Sequence, residues 1–92
     1  MNYQIVYQPK AKKDIQLLIK SGNKIAINKL YCLLSELKEH PLTGIGKPEQ
    51  LKGALSDCYS RRITHKHRLV YQIFEKEVVV LILSAEGHYD DK

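Results

Sequence analysis

The run Val78-Val79-Val80-Leu81-Ile82-Leu83 is the longest apolar stretch in the chain. It is far shorter than the roughly 20 residues a helix needs to cross a bilayer, but it is long enough for one strand. A strand that is apolar at every position has no solvent side, so it belongs inside a sheet with both faces covered. The segment before it, Arg68–Phe74, is also strand-like, and only Glu75-Lys76 separates it from a strand over residues 77–84. So tight a connection predicts a β-hairpin with the apolar run as its second arm. A third strand is expected over residues 58–64, bounded by polar turns, and a short one near residues 49–53.

The first half of the chain has a different period. Asn2 to Tyr7 alternates as a strand does, and Pro9 then sits where the first turn of a helix tolerates it. Ala11, Ile15, Leu17 and Leu18 predict a short helix to about Lys20. Ser21-Gly22 should stop it, and Asn23 can cap the next helix. In that second helix Ile27, Leu30, Leu34 and Leu37 recur at three and four residues and form one apolar stripe. Pro41, Gly44 and Gly46 end it. The expected order is β-α-α-β-β-β-β. This is an α+β fold in which two N-terminal helices pack on one face of a small antiparallel sheet. With 92 residues, a single domain over 1–92 is expected.

Several classes of function drop out. Met1-Asn2-Tyr3-Gln4 lacks the charged start and long apolar core of a signal peptide. Cys32 and Cys58 form neither a disulfide framework nor a metal spacing, and no Gly-rich phosphate loop is present. The chain reads as cytoplasmic, without metal or cofactor and without a membrane. Its 15 Lys and Arg against 10 Asp and Glu give a formal charge of +5, which favours a polyanionic partner.

The charge is unevenly spread. Arg61, Arg62 and Arg68 are the only arginines, and residues 44–71 carry six cations against Glu49 and Asp57. The lysines of the first half suit solvated helix faces. Arginine is the better bidentate phosphate ligand. Helices on one side of the sheet leave its other face partly open, and successive strand residues point to opposite faces. Arg61 and Arg62 therefore cannot both share the face of Arg68. An even-length turn over residues 64–67 would put Arg61 beside Arg68, and an odd-length turn or a bulge would put Arg62 there.

Glu49, Arg68 and His88 are a carboxylate, an arginine and a histidine that the strands could bring near one face. Such a set suits RNA cleavage. A base takes the 2′-hydroxyl proton, cations stabilise the pentacoordinate phosphate, and an acid protonates the departing 5′-oxygen. Each residue also has a plainer use. Glu49 near two lysines suits a surface ion pair, Arg68 could pair with a carboxylate, and His88 could be a solvated side chain. His65 and His67 read as solvated turn residues. Tyr3, Tyr59 and Tyr71 read as strand packing.

Four blocks taken together carry a more specific signal. They are Gly44-Ile45-Gly46-Lys47-Pro48-Glu49-Gln50-Leu51-Lys52, Ser60-Arg61-Arg62-Ile63, His67-Arg68-Leu69-Val70-Tyr71 and His88-Tyr89. In order and spacing they resemble the YoeB (Txe) toxins of the RelE-like toxin–antitoxin group. The resemblance implies a RelE-like fold and a metal-independent endoribonuclease that cleaves mRNA on translating ribosomes. It also implies Glu49 as general base, His88 as general acid, Arg68 as the phosphate-stabilising arginine and Tyr89 as a residue orienting the RNA. Lys52 and one of the Arg61/Arg62 pair match positions lining the RNA path. The implied partners are the ribosome, mRNA and an acidic antitoxin of the YefM or Axe kind, and some relatives are homodimers. The chain departs from many relatives at Tyr59 (Trp in them), at Glu86 (Arg in them) and in the extension Asp90-Asp91-Lys92. The competing class is a non-catalytic RNA-binding or regulatory module in which Glu49 and His88 are only structural.

Overall fold

A computed structural model describes residues 2–42, 48–51 and 58–85. In chain order the elements are β1 (Gln4–Tyr7), α1 (Pro9–Lys20), α2 (Lys24–Leu37), β2 (Glu49–Gln50), β3 (Cys58–Arg62), β4 (Arg68–Phe74) and β5 (Val79–Ser84). The expected order holds. The five strands form one sheet in the spatial order β1-β5-β4-β3-β2. β5 therefore lies inside the sheet, flanked by β1 and β4.

The pairing is antiparallel except at one position. β1 runs parallel to β5, with Ile5 opposite Val80 and Tyr7 opposite Ile82. The α1–α2 pair, β2, β3 and β4 all intervene between these two strands in sequence, so no tight turn forces them to be antiparallel. The sheet is mostly antiparallel rather than wholly so.

Local chemistry sets the helix boundaries. Pro9 occupies the first turn of α1, where a missing N–H costs nothing. Gly22 takes a positive φ of 75° after α1, a conformation that Gly adopts without strain. Asn23 Oδ1 accepts from the Ala26 amide at 3.1 Å and caps α2. The buried stripe of α2 is Ala26, Leu30, Leu33 and Leu37, with Ile27 and Leu34 half-buried at its edge. The predicted stripe has the right period but is rotated by one residue at two positions, with Ala26 and Leu33 fully buried in place of Ile27 and Leu34. On α1 the buried residues are Ala11 and Leu18, and Leu17 is exposed.

The core lies between the helices and one sheet face. Leu30, Leu33, Leu37, Leu69, Tyr71, Val80 and Ile82 are all fully buried there. The outer sheet face is only half-covered. Val79 and Leu81 are half-buried while Val80 and Ile82 have no exposure, so β5 is not shielded equally on both faces as its all-apolar sequence predicts. The β4–β5 turn is also longer than two residues. Phe74 pairs with Val79, which leaves residues 75–78 in the turn. Val78 takes φ 56°, a left-handed value costly for a β-branched residue. Its carbonyl accepts from the Gln4 amide and its amide donates to the Glu75 carbonyl, and these bonds hold it in that conformation.

Burial pushes the phenols of Tyr71 and Tyr7 above their ordinary value, and at Tyr71 this outweighs the opposing pull of Arg61. A raised native value means that the neutral phenol is favoured by folding. That stability is complete below the unfolded value of 10.0 and is lost as pH climbs through the native values. Urea midpoints should therefore fall as pH rises above the unfolded value of 10.0, and Tyr71→Phe should show a shallower decline. Parallel declines would remove Tyr71 as a cause.

Candidate active site

Register decides which side chains meet on the outer face. In β2–β3, Glu49 stands opposite Ser60, and in β3–β4, Arg62 stands opposite Arg68. Opposed residues share a face, and alternate residues of β3 return to it. Glu49, Ser60, Arg62 and Arg68 therefore all face outward. The alternative left open by the sequence is resolved by the turn between β3 and β4, which spans residues 63–67 and is odd in length. Thr64 builds it. Its Oγ1 accepts from the amides of Lys66 and His67 at 3.1 and 3.0 Å and lies 3.0 Å from His67 Nδ1. His67 is thus a structural turn residue rather than a solvated one, while His65 is exposed.

On this face Glu49 Oε1 and Arg68 Nη1 come within 3.7 Å across β3. The two side chains are 68% and 39% exposed. An ion pair so open to water contributes at most about 1 kcal/mol, so either partner can exchange it for a ligand group. Arg62 is exposed beside Arg68. The Ser60 hydroxyl is buried between Glu49 and Val70 and has no hydrogen-bond partner among the described residues.

Arg61 lies on the other face, so of the Arg61/Arg62 pair it is Arg62 that shares the face of Arg68, and Arg61 is withdrawn from the residues expected along the RNA path. It has no exposure at all. Nε donates to Tyr71 Oη at 2.9 Å, Nη1 to Glu36 Oε1 at 2.7 Å, and Nη2 to the His40 carbonyl. Tyr71 Oη donates in turn to the Pro41 carbonyl at 3.1 Å. A guanidinium can be buried here because each of its three nitrogens has an oxygen partner. Tyr59 stacks on Tyr71 with ring centroids 6.1 Å apart, in keeping with their reading as strand packing.

Lys52, His88 and Tyr89 lie outside the described residues, as do Glu86 and the Gly44–Gly46 stretch. Asp14, which counted in the sequence only as a charge, has a specific use. Its Oδ2 accepts from the Ala85 amide at 3.1 Å and from Lys10 Nζ at 2.9 Å. It ties α1 to the end of β5, three residues before His88. Its position one turn from Leu18 and three residues from Ala11, on the buried side of the helix, was the signal for it. Among the described residues no three His, Cys, Asp or Glu side chains converge as metal ligands, and no helix is long and apolar enough to cross a membrane.

Residues 7–89 match the family described as YoeB-like toxin of bacterial type II toxin-antitoxin system. A toxin YoeB of Mycobacterium bovis is 40% identical over 83 residues, which is 90% of this chain and 94% of the relative. The chain belongs to the YoeB-like toxin family. A YoeB/ParE toxin from Agrobacterium tumefaciens superposes with a TM-score of 0.84 at 29% identity, covering 94% of this chain and 99% of that one. A Staphylococcus aureus YoeB has been solved as a dimer and in a heterotetrameric YoeB-YefM complex. These match with TM-scores of 0.78 and 0.77 at 37% identity, and each covers 97% of this chain and all of the other. As a YoeB-like toxin, this chain is the toxin component of a type II toxin–antitoxin system.

Proposed function

We propose that this toxin is a metal-independent endoribonuclease that cuts mRNA on the ribosome and so inhibits translation in the cytoplasm. The observation that carries the reading is the approach of Glu49 to Arg68 on the open sheet face, with Arg62 beside them. A phosphate arriving at Arg68 offers it a better bidentate partner than the loose contact with Glu49. The carboxylate is then released next to the scissile ribose, where it can take the 2′-hydroxyl proton. Because the substrate supplies its own nucleophile, the reaction does not require a metal-activated water. Arg68 stabilises the phosphorane oxygens, and Arg62 and Lys52 hold flanking phosphates. His88 protonates the 5′-oxygen as it leaves, and Tyr89 orients the RNA.

The partner that restrains this activity is an acidic antitoxin of the YefM kind. The formal charge of +5 suits such a partner, and the S. aureus relative has been solved with YefM. A homodimer is proposed on the same footing from the dimeric relative.

Product chemistry tests the reading. On ribosomes programmed with a defined mRNA, the 5′ fragment should end in a 2′,3′-cyclic phosphate or the 3′-phosphate derived from it. The other fragment should begin with a 5′-hydroxyl. A 2′-deoxy nucleotide at the scissile position should abolish cleavage and leave binding intact. Binding without any cleavage of the all-ribose message would favour a non-catalytic RNA-binding module. The exposed Glu49–Arg68 pair would then be a surface ion pair.

A further inference from the structure

The two adjacent arginines of β3 have opposite orientations, and the inward one touches neither the open face nor solvent. Its partners among the described residues nevertheless share a feature. Glu36 and His40 belong to the end of α2 and the chain just beyond it, and Tyr71 passes the contact on to the carbonyl of Pro41. This is where the chain leaves the helix toward Glu49. The far end of that connection is held by β3 as well. Glu49 pairs with Ser60, and the Leu51 amide donates to the Cys58 carbonyl at 2.9 Å. β3 thus holds both ends of one connection, the far end through its backbone pairing with β2 and the near end through the inward Arg61 side chain.

β2 has only two residues and stands at the sheet edge. So short an edge strand has little ladder of its own to fix its height above β3. An anchor close ahead of it in the chain can therefore help to fix its position, and Pro41 precedes Glu49 by eight residues. We propose that Arg61 is a positioning residue for Glu49. By anchoring the chain at Glu36, His40 and Pro41, it keeps β2 in register and the Glu49 carboxylate within reach of the group bound at Arg68. It touches no substrate. The inference rests on the catalytic reading of Glu49 for its kinetic consequence, but the anchoring itself can be measured without RNA.

Two variants separate the possibilities. Tyr71→Phe removes one hydroxyl, and with it the bonds to Arg61 Nε and the Pro41 carbonyl, while leaving an aromatic ring in the core. Arg61→Lys keeps the charge but cannot reach three partners at once. Hydrogen exchange of the Leu51 amide in the free chain reports whether β2 is held. The Gln8 amide, bonded to the Ile82 carbonyl at 3.0 Å on the other side of the sheet, serves as the control. In both variants Leu51 should exchange at least about tenfold faster and Gln8 should not change. Single-turnover cleavage, well below each variant's melting temperature, should slow by about 10- to 100-fold, as expected for a misplaced catalytic group. The dissociation constant for the programmed ribosome should stay within about twofold, because Arg62 and Arg68 are intact. A guanidinium that only stabilises the core would lower the melting temperature and leave both readouts unchanged, and that result overturns the proposal. Faster exchange at Leu51 with an unaltered cleavage rate overturns it too. Should the parent chain not cut RNA at all, the catalytic reading fails, and Leu51 exchange alone decides whether Arg61 holds the Glu49 strand.

Discussion

Folded Glu49→Ala and His88→Ala should each cut ribosome-bound mRNA about 10²–10⁴-fold more slowly than the parent, the usual contribution of one proton-transfer group. Arg68→Ala should cost at least about 10²–10³-fold, because it removes charge from where the phosphorane develops it. The surface position of Glu49 and Arg68 makes the experiment clean. Their ion pair is exposed to water and stabilises the fold little. Thermal melts of Glu49→Ala and Arg68→Ala should therefore lie close to the parent, and a lost rate cannot be assigned to lost structure. The variants should also differ in kind. Glu49→Ala should keep its affinity for the programmed ribosome or gain slightly, since an anion is removed from beside the phosphate site. Arg68→Ala should lose affinity, and the loss should shrink as salt rises. Rates at the parental level in folded Glu49→Ala and His88→Ala would end the catalytic assignment. Glu86 and the Asp90-Asp91 extension, which place carboxylates near His88 in sequence, would then be the first features to examine.

Element order was legible in the sequence because period and punctuation agree: Pro9 at a helix start, Gly22 and Asn23 between helices, alternation in β1 and polar turns between the later strands. Pairing details were less so. The parallel β1–β5 contact joins segments separated by most of the chain, and no local signal carries that relation. The all-apolar run of β5 hides its own facing. With no polar residue to mark the solvent side, neither the half-exposure of Val79 and Leu81 nor the register shift where β4 pairs with Leu83's neighbours can be read from it.

The candidate site was legible to a different degree. Glu49 and Arg68 were named from residue type and resemblance, and the sheet brings them to one face. The choice between Arg61 and Arg62 was in fact written in the alternation. Tyr59 and Ile63 flank Arg61 at even spacing, so the apolar face of β3 includes position 61, and a buried arginine there needs a carboxylate from the packed helix. Glu36, three residues after Leu33 and next to Leu37, sits at the edge of the buried stripe where such a partner is required. Turn parity alone leaves the choice open, because the length of the 63–67 connection is not marked in the sequence. Asp14 is a similar case, a charge at a position whose neighbours on the helix are buried, where it accepts from the Ala85 amide.

Arg61→Ala should cost about 3–5 kcal/mol of stability, the usual consequence of removing one partner from a buried ion pair. The mechanism is the orphaning of what remains. Glu36 keeps a partly buried carboxylate without its cation, the Tyr71 hydroxyl loses a donor, and the His40 carbonyl loses its partner at the end of α2. For a domain of this size each kcal/mol shifts the melting midpoint by about 4–8 °C, so the variant should melt more than about 10 °C below the parent. Glu36→Gln should cost clearly less, because Arg61 retains oxygen partners at all three nitrogens. The triple change Glu36→Leu, Arg61→Met, Tyr71→Phe separates charge from hydrogen bonding. An apolar replacement of a buried ion pair is often neutral or stabilising, but here the carbonyls of His40 and Pro41 would still lack donors, at about 1–3 kcal/mol for each that water cannot reach. The triple variant should therefore recover part of the loss seen in Arg61→Ala and remain below the parent. Urea denaturation of the four proteins at one pH measures all of this. Full recovery in the triple variant would mean that the two carbonyls find water and that the ion pair alone carried the cost. An Arg61→Ala midpoint matching the parent would mean that the guanidinium is not buried against Glu36 in solution, and the inward orientation of Arg61 would have to be abandoned.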